Sequence, residues 1–381
     1  MSRIMLRSRQ AGLLWAFGLA LLLGSRSTAA EASVWNPEKT WVFAISTMEM
    51  KFRELDVSKE GRQDEVLIQT FKDRGVPEDH VVFLEDKEGT LGNIRKSFKK
   101  LLEKTAEGDF LIFYFQGHGG RDIEGEKSKY YFCNYDSNVD DDGTYLYVSE
   151  VYKTIEKHFK GSAVLLTADC CTSGGLIQEA KKRNTKLCCA CLTSVNAHNG
   201  STGCWTFTRA LIAGFSGSPM VDIDGDRVVT MDEFQRYIEL EMAYAEEQKA
   251  MYQSFNDFDD SLQIAKAKKK SHEKVGTYVE ALEDGEWYRA KIEGFKDDKF
   301  KIYYPQYDQH DEVTEDHIRE LHDKHFKVDA AVLVLHRDGK WYPATVLEAK
   351  YNLHKIHWDD DKSAKGIANE WVARSRIKRK P

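Results

Sequence analysis

The sequence lacks an excess of basic residues, and this limits its partners. Its 381 residues include 55 Lys and Arg against 62 Asp and Glu, which gives a formal net charge of −7. Nonspecific nucleic-acid binding needs a cationic surface that displaces counterions from phosphates. We therefore expect no nucleic-acid partner. With 41% hydrophobic residues, a chain of this length can bury more than one core.

The sequence also lacks a disulfide framework. Its seven cysteines are odd in number and all lie between Cys133 and Cys204. Three of them belong to the stretch LCCACLTSV at 187–195, which is typical of a buried strand where thiols act as small apolar groups. This spacing excludes a small domain held together by disulfides.

A long apolar run is missing as well, and the nearest candidate lies at the N-terminus. Three arginines precede about fourteen apolar residues, and the small residues STAA follow them. The run is short for a bilayer span, and the pattern is typical of a cleaved export signal. We expect a signal peptide over residues 1–30, a mature chain from about Glu31, and a secreted or periplasmic protein without stable membrane insertion. An uncleaved membrane anchor is the alternative.

From Thr40 onward, short apolar runs such as TWVFAIST, HVVFL and DFLIFYF alternate with amphipathic segments. This repetition predicts an α/β fold over residues 34–265, with a mostly parallel sheet flanked by helices. The polar stretch 122–144 predicts a surface excursion. The charged run AKAKKKSHEK predicts a linker over 266–274.

The remaining sequence is internally duplicated. VGTYVEALEDGEWYRAKIEG resembles VDAAVLVLHRDGKWYPATVLEA, so that Trp287 matches Trp341, and further along Ile302 matches Ile356. Each copy contains about five short strand patterns separated by turns, which is typical of a small, strongly bent SH3-like β barrel. We expect two such barrels, over 275–323 and 326–381.

Reactive residues follow two of the predicted buried strands. His118 comes just after LIFYFQ, and Cys170 and Cys171 come just after SAVLLTAD. Sites in α/β sheets form outside the carboxyl ends of the strands. If these strands are neighbours, His118 and one cysteine face each other as a thiol nucleophile and its base.

The two motifs together resemble those of the caspase-fold cysteine peptidases, most closely the metacaspase-like branch. GHGG ends one strand, and Asp-x-Cys-x-Ser-Gly ends another about fifty residues later, within a resemblance that covers roughly residues 38–265. The resemblance implies a His–Cys dyad that hydrolyses peptide bonds. It selects Cys171 as the nucleophile and His118 as general base and acid, with the N–H groups of Gly119 and Cys171 forming the oxyanion hole.

The same resemblance implies cleavage after Arg or Lys. Asp169, two residues before the nucleophile, would line the pocket for that basic side chain through a charge-assisted pair. The alternative for Asp169 is a structural role, in which it bonds backbone N–H groups of a tight turn. Ser194 would line the same pocket or serve only as a strand-end hydroxyl. Gln116 stands where metacaspases often carry serine.

The C-terminal copies resemble Tudor-type barrels, in which an aromatic cage binds methylated lysine or arginine. Leucines replace the cage tryptophan in both copies, at Leu282 and Leu335, so a structural or general protein-binding barrel is the alternative. Copy two has Asp361 at the third cage position. The remaining candidate cage residues are Tyr288, Tyr304 and Tyr307 in copy one, and Tyr342 and Trp358 in copy two.

The sequence assigns no metal site, and the peptidase is expected to need no cofactor, with calcium considered only as an activator. DIDGDRVVTMDE places Asp222, Asp224, Asp226 and Glu233 at calcium-loop spacing, but Arg227 stands where such a loop requires glycine, which favours a turn before a helix. Two alternatives to a metacaspase-like enzyme remain. One is a legumain-like peptidase that prefers asparagine, and the other is a non-catalytic scaffold whose barrels hold a protein partner.

Overall fold

The computed structural model describes residues 33–124, 127–202, 204–359 and 368–380. The predicted signal peptide and Asp361 lie outside the described residues. No helix in the described part of the chain has the length and apolarity needed to span a bilayer.

The chain up to residue 266 forms strands and helices in alternation. The strands are β1 (Thr40–Ser46), β2 (Val81–Glu85), β3 (Phe110–Gln116), β4 (Gly119–Glu124), β5 (Lys127–Phe132), β6 (Leu146–Tyr147), β7 (Ala163–Asp169), β8 (Cys189–Thr193), β9 (Val228–Thr230), β10 (Met251–Phe255) and β11 (Gln263–Lys266). The helices are α1 (Asp64–Asp73), α2 (Leu91–Leu102), α3 (Val148–His158), α4 (Gly175–Arg183), α5 (Thr206–Phe215) and α6 (Met231–Glu246).

Six of these strands form the central sheet, in the order β10-β8-β7-β3-β1-β2. All neighbouring pairs are parallel except β10 with β8. Successive side chains of β3 point to opposite faces. Phe113 packs with residues of α2, α3 and α4 on one face, whereas Tyr114 packs with residues of α1, α5 and α6 on the other. The predicted α/β sheet covered by helices on both faces is confirmed.

The stretch 122–144 differs from the predicted irregular excursion. Strands β4 and β5 pair antiparallel, and β6 joins them to make a separate three-stranded sheet. The hairpin is stabilised by aromatic packing of Tyr131 on Tyr145, with ring centroids 4.1 Å apart. The polar composition hid this hairpin because one of its faces is solvated.

The C-terminal region forms two antiparallel five-stranded sheets. The first contains β12 (Tyr278–Glu283), β13 (Glu286–Lys296), β14 (Lys299–Tyr304), β15 (Gln309–Val313) and β16 (Ile318–Glu320). The second contains β17 (Ala331–Leu335), β18 (Trp341–Lys350), β19 (Leu353–Trp358), β20 (Asn369–Ala373) and β21 (Ile377–Arg379).

The two sheets share one topology, which confirms the duplication. Their strand orders, β15-β14-β13-β12-β16 and β20-β19-β18-β17-β21, correspond strand by strand. Even the irregularity in the long second strand recurs, between Ile292 and Gly294 in the first and between Val346 and Glu348 in the second. Such a bulge bends the strand strongly, as a small barrel requires. We call the two units barrel 1 and barrel 2.

Both barrels pack against α6. Lys291 of barrel 1 is buried and pairs with Glu241 at 2.7 Å. Lys350 of barrel 2 pairs with Glu239 at 2.5 Å. Ala243 of α6 also shares an apolar cluster with Leu353, Trp371 and Ala373 of barrel 2. The barrels are therefore held on the sheet-containing part of the chain by both apolar and ionic contacts.

Candidate active site

The candidate site is set by the register of β3 and β7. These strands are neighbours, and Gln116 at the end of β3 pairs with Asp169 at the end of β7. His118 and Cys171 each lie two residues beyond this pair. The paired strand ends therefore bring the backbone of the His118 loop beside that of the cysteine pair.

Gly119 permits this close approach. A Cβ at position 119 would lie 2.4 Å from the carbonyl oxygen of Cys171 and 2.6 Å from Sγ of Cys170. Any other residue at this position would displace the backbone, so glycine is needed for the two loops to pack this closely.

The imidazole of His118 is oriented by a backbone carbonyl that sequence reasoning missed. Nε2 of His118 lies 2.9 Å from the carbonyl oxygen of Leu55. A carbonyl only accepts hydrogen bonds, so Nε2 carries the proton and Nδ1 remains free to accept one. A backbone carbonyl carries no side-chain signature, and no motif could have pointed to Leu55.

The loop that presents Leu55 is anchored by a buried charge network. Arg62 donates to Oδ1 and Oδ2 of Asp64 at 2.8 and 2.7 Å, and to Asp86 at 3.1 Å. Asp86 accepts the N–H groups of Met48 and Glu49, both at 2.8 Å. Asp86 therefore anchors the start of the loop that presents Leu55.

The two adjacent cysteines have different environments. Cys170 is 1% exposed within the core, and burial raises the pKa of its thiol. Cys171 is half-buried, and its Sγ accepts the N–H of Ser201 at 3.3 Å. Burial, followed by the charge of Cys171, raises the pKa of the nearby Cys133 to about 12. All seven cysteines are free thiols.

Within the described residues, no hydrogen bond joins His118 to Cys171. Catalytic bonds of this kind are often long before substrate binds. Cys171 precedes helix α4 by about one turn.

Asp169 lies in a closed polar pocket beneath the cysteine loop. Its side chain is 2% exposed, and burial raises its pKa from 3.8 to about 7. Hydroxyl groups of Ser194, Thr208 and Ser201 oppose this rise, whereas the charge of Glu246 adds to it. The Thr208 and Ser201 hydroxyls lie 3.3 and 3.5 Å from the carboxylate oxygens. Among the described residues, the neighbours of this carboxyl group are therefore hydroxyls rather than cations.

The side chain of Asp169 has a further partner in Gln116. With its amide nitrogen turned toward Asp169, Gln116 donates to Oδ2 at 3.1 Å and to the main-chain oxygen at 3.0 Å. The recorded partners of the carboxylate are thus side chains. Among the described residues, no backbone N–H group of a turn donates to it. Gln116 occupies the pocket wall, and Thr208 and Ser201 could not be found from spacing because they lie more than thirty residues downstream.

The acidic loop forms a turn, as the sequence favours, followed by β9 and α6. Carboxylate oxygens of Asp222, Asp224 and Asp226 lie within 4.8 Å of one another. Arg227 has φ +72°, the left-handed conformation that calcium loops give to glycine. Glu233 accepts N–H groups of the loop and closes a capping box with Thr230 at the start of α6. Both of its oxygens are therefore engaged in structure.

In barrel 1 the three predicted aromatic residues come together. The ring of Tyr288 meets Tyr304 and Tyr307 edge-on, with centroids 6.4 and 5.7 Å away. Tyr304 is 2% exposed and Tyr307 is 54% exposed. The group therefore has a buried floor and an open rim.

In barrel 2 the predicted pair is joined by a residue that the sequence did not suggest. His336 lies edge-on to both Tyr342 and Trp358, with centroids 5.6 and 5.8 Å away. Trp358 is 4% exposed. His336 follows Leu335, the leucine that replaces the cage tryptophan, and it supplies the ring next to that position.

Parts of the chain are similar to known proteins. Residues 56–179, which include His118 and Cys171, match the family model for the metacaspase, peptidase C14 domain. Among solved structures, a protein from Geobacter sulfurreducens is 13% identical and covers 60% of this chain and 99% of its own, with a TM-score of 0.40. The Drosophila initiator caspase Dronc is 10% identical over 62% of this chain and 89% of its own, with a TM-score of 0.39.

The C-terminal region is similar to the ADCP1 tandem Agenet domain 3-4, at 22% identity over 28% of this chain and 79% of that one, with a TM-score of 0.13. It is also similar to Arabidopsis thaliana AGDP1 AGD34, at 20% identity over 27% of this chain and 80% of that one, with a TM-score of 0.13. No curated protein matches the chain. The mostly parallel sheet therefore contains a segment that is similar to a metacaspase peptidase C14 domain. Two Tudor-like barrels follow it.

Proposed function

We propose that the protein is a cysteine endopeptidase that uses His118 and Cys171. The paired ends of β3 and β7 support this assignment most strongly, because they put the two residues on adjacent loops. Nδ1 of His118 takes the thiol proton, and Sγ of Cys171 forms a bond to the carbonyl carbon of the peptide. His118 then protonates the departing amine. Water, deprotonated by the same imidazole, hydrolyses the thioester and restores the thiol.

The N–H groups of Gly119 and Cys171 are proposed to bind the oxyanion of the tetrahedral intermediate. The backbone at position 119 lies against that of Cys171, so the two proposed donors belong to loops in close contact. Loss of one such donor typically costs about 2.7–4 kcal/mol of transition-state stabilisation.

Asp169 and Ser194 are proposed to form the pocket for Arg or Lys before the scissile bond. The buried carboxylate has hydroxyl and amide neighbours, and no cation among the described residues pairs with it. A guanidinium or ammonium group would supply that missing charge. A cationic side chain also keeps the carboxylate ionised in a site where burial opposes ionisation.

Cleavage profiling of the mature protein tests this proposal. Matched peptides that carry Arg, Lys, Asn or Asp before the cleaved bond are compared for the wild-type protein, Cys171→Ala and Cys170→Ala. We expect cleavage after Arg and Lys, loss of activity in Cys171→Ala, and most activity retained in Cys170→Ala, because only Sγ of Cys171 reaches the cleft. Preference for asparagine would support a legumain-like enzyme, and no cleavage would support a scaffold.

The same assays address cofactors. We propose that the peptidase needs none, since a thiol and an imidazole complete the reaction. Calcium is the activator to test, because the oxygens of Asp222, Asp224 and Asp226 are close together. Equal rates in EDTA and in calcium are expected for a cofactor-independent enzyme, and a strict calcium requirement would contradict that view.

Barrel 1 is proposed to bind a protein partner through Tyr288, Tyr304 and Tyr307. Their open rim suits a cationic side chain by cation–π attraction, and Glu283, whose charge acts on Tyr304, adds negative charge. Titration of methylated and unmethylated lysine peptides, with Tyr307→Ala as the matched variant, measures this binding. Undiminished binding by Tyr307→Ala would contradict the assignment. The protein is also proposed to be secreted or periplasmic, with membrane anchoring through residues 1–30 as the alternative.

A further inference from the structure

The hairpin between β17 and β18 of barrel 2 lies beside the candidate nucleophile. A Cβ placed on Gly200 would lie 3.5 Å from Sγ of Cys171 and 3.8 and 3.9 Å from the two terminal nitrogens of Arg337. The same residue thus separates the thiol from a guanidinium group that belongs to another part of the fold. Barrel 2 thereby forms part of the surroundings of the active site.

Several contacts hold the hairpin in this position. Asn199, which adjoins Gly200, donates its side-chain amide to the main-chain oxygen of Trp371 at 2.9 Å. Arg376 donates to the carbonyl oxygen of Leu335 at 3.0 and 2.7 Å and so fixes the base of the hairpin. These bonds tie barrel 2 to the segment that follows β8 and keep Arg337 near the thiol.

The charge of Arg337 is not neutralised by the described residues. Its side chain is exposed, and in those residues it makes no hydrogen bond or ion pair. The carboxylate of the adjacent Asp338 has other partners. It accepts hydrogen bonds from the Tyr342 hydroxyl at 2.8 Å and from the N–H of Lys340 at 3.0 Å. A second cation, Arg121, lies a few residues past His118 and donates to His198 at 2.8 Å. Arg121 of β4 is thus engaged by His198, whereas Arg337 has no such partner among the described residues.

The equivalent hairpin of barrel 1 shows that this arrangement is particular to barrel 2. The sequence between the matched leucine and tryptophan is EDGE in barrel 1 and HRDGK in barrel 2. The barrel 2 hairpin is one residue longer and carries Arg337 and Lys340 where the barrel 1 hairpin has only acidic charges. The basic hairpin adjoins the cleft through Arg337, beside Gly200.

From these observations we propose that Arg337 forms a substrate subsite for an acidic side chain close to the scissile bond, and that barrel 2 is one wall of the peptidase cleft. The guanidinium would pair with a substrate carboxylate and repel a second cation at the same place. The proposal rests on Cys171 being the reactive thiol of the site. It adds a requirement separate from the basic residue proposed for the Asp169 pocket.

Matched peptides test the subsite in the full-length mature protein. Each keeps Arg before the cleaved bond and carries Glu, Gln or Lys at one neighbouring position, scanned on either side. We expect Arg337→Gln to lower kcat/KM for the best Glu peptide relative to its Gln partner by about twofold to fivefold, the range for an exposed ion pair. Arg337→Lys should retain most of the preference, and Arg379→Gln, an exposed arginine of the same barrel, should retain all of it. High salt should weaken the preference.

A second measurement does not depend on peptidase activity. Iodoacetate is anionic and iodoacetamide is neutral, and each alkylates Cys171 with loss of iodide. Mass spectrometry of the Cys171 fragment gives the two rates. We expect Arg337→Gln to reduce the ratio of the iodoacetate rate to the iodoacetamide rate by about twofold to fivefold. An unchanged ratio, or a glutamate preference that survives in Arg337→Gln, would overturn the subsite, whereas absent cleavage with an altered ratio would count against the peptidase proposal alone.

Discussion

Asp169→Asn replaces a buried carboxylate by a neutral side chain of the same size, and its effects follow from one pKa. Burial raises the pKa of Asp169 from 3.8 to about 7 in the folded protein. A rise of roughly three pKa units corresponds to about 4 kcal/mol of ionisation cost. Because the folded pKa is the higher one, this carboxyl contributes stability below about pH 4, and that contribution is lost as the pH rises to about 7.

Urea unfolding at pH 5 and pH 8 measures this cost. The stability of Asp169→Asn relative to the wild-type protein should increase by about 2–3 kcal/mol between these pH values, by proton linkage through the cited pKa. Glu107→Gln, which alters an exposed carboxylate, is the matched control and should show no such change. Parallel curves for the wild-type protein and Asp169→Asn would refute the assignment of a strongly raised pKa.

The same pKa predicts how a cationic ligand binds. Benzamidine, which stays positively charged across this range, should bind the wild-type protein about tenfold more tightly at pH 8 than at pH 6, because Asp169 must ionise to pair with it. Asp169→Asn should bind weakly at both pH values. Calorimetry gives the affinities, and wild-type binding that does not change with pH would contradict the proposed pocket.

Three further predictions follow from other contacts. Gly119→Ala should reduce kcat/KM more than tenfold and lower the stability measured by thermal unfolding by about 1–3 kcal/mol, because its Cβ would meet the Cys171 carbonyl at 2.4 Å. The control Gly92→Ala, in open space on α2, should be neutral or stabilising in the same thermal-unfolding assay. Arg62→Met should cost about 3–5 kcal/mol in urea unfolding, since it leaves Asp64 buried without its cation and leaves Asp86 with Lys59 alone. Wild-type stability would argue against that network. Mass spectrometry of the exported protein should find an N-terminus near Glu31, and a retained Met1 would rule out cleavage of the signal peptide.

Much of the fold was accessible from local patterns. Apolar runs such as LIFYF and the stripe containing Ile94 and Phe98 predicted buried strands and helices because core packing imposes those periods. The barrel duplication was visible because matched residues such as Trp287 and Trp341 recur. The β4–β5 hairpin was missed because its sequence is polar and its pairing depends on β6, a partner too short to read.

The candidate site was accessible only in part. His118, Asp169 and Cys171 carry chemistry in their side chains and follow apolar strands, so sequence could nominate them. Leu55 acts through its carbonyl oxygen. Arg337 lies near the thiol, on the other side of Gly200, because barrel 2 docks on α6. Contacts of this kind depend on tertiary packing between segments distant in the chain, and no local spacing encodes them.

Covalent trapping of the nucleophile tests the central claim most directly. A peptidyl chloromethyl ketone ending in arginine is incubated with the wild-type protein, Cys171→Ala and His118→Ala, beside a matched reagent ending in aspartate. Thiolate attack displaces chloride, and tandem mass spectrometry identifies the labelled cysteine. The account predicts fast labelling at Cys171 by the arginine reagent, slow labelling by the aspartate reagent, and loss of the fast reaction in both variants. Labelling at Cys170 or Cys133, or equal rates for the two reagents, would contradict it.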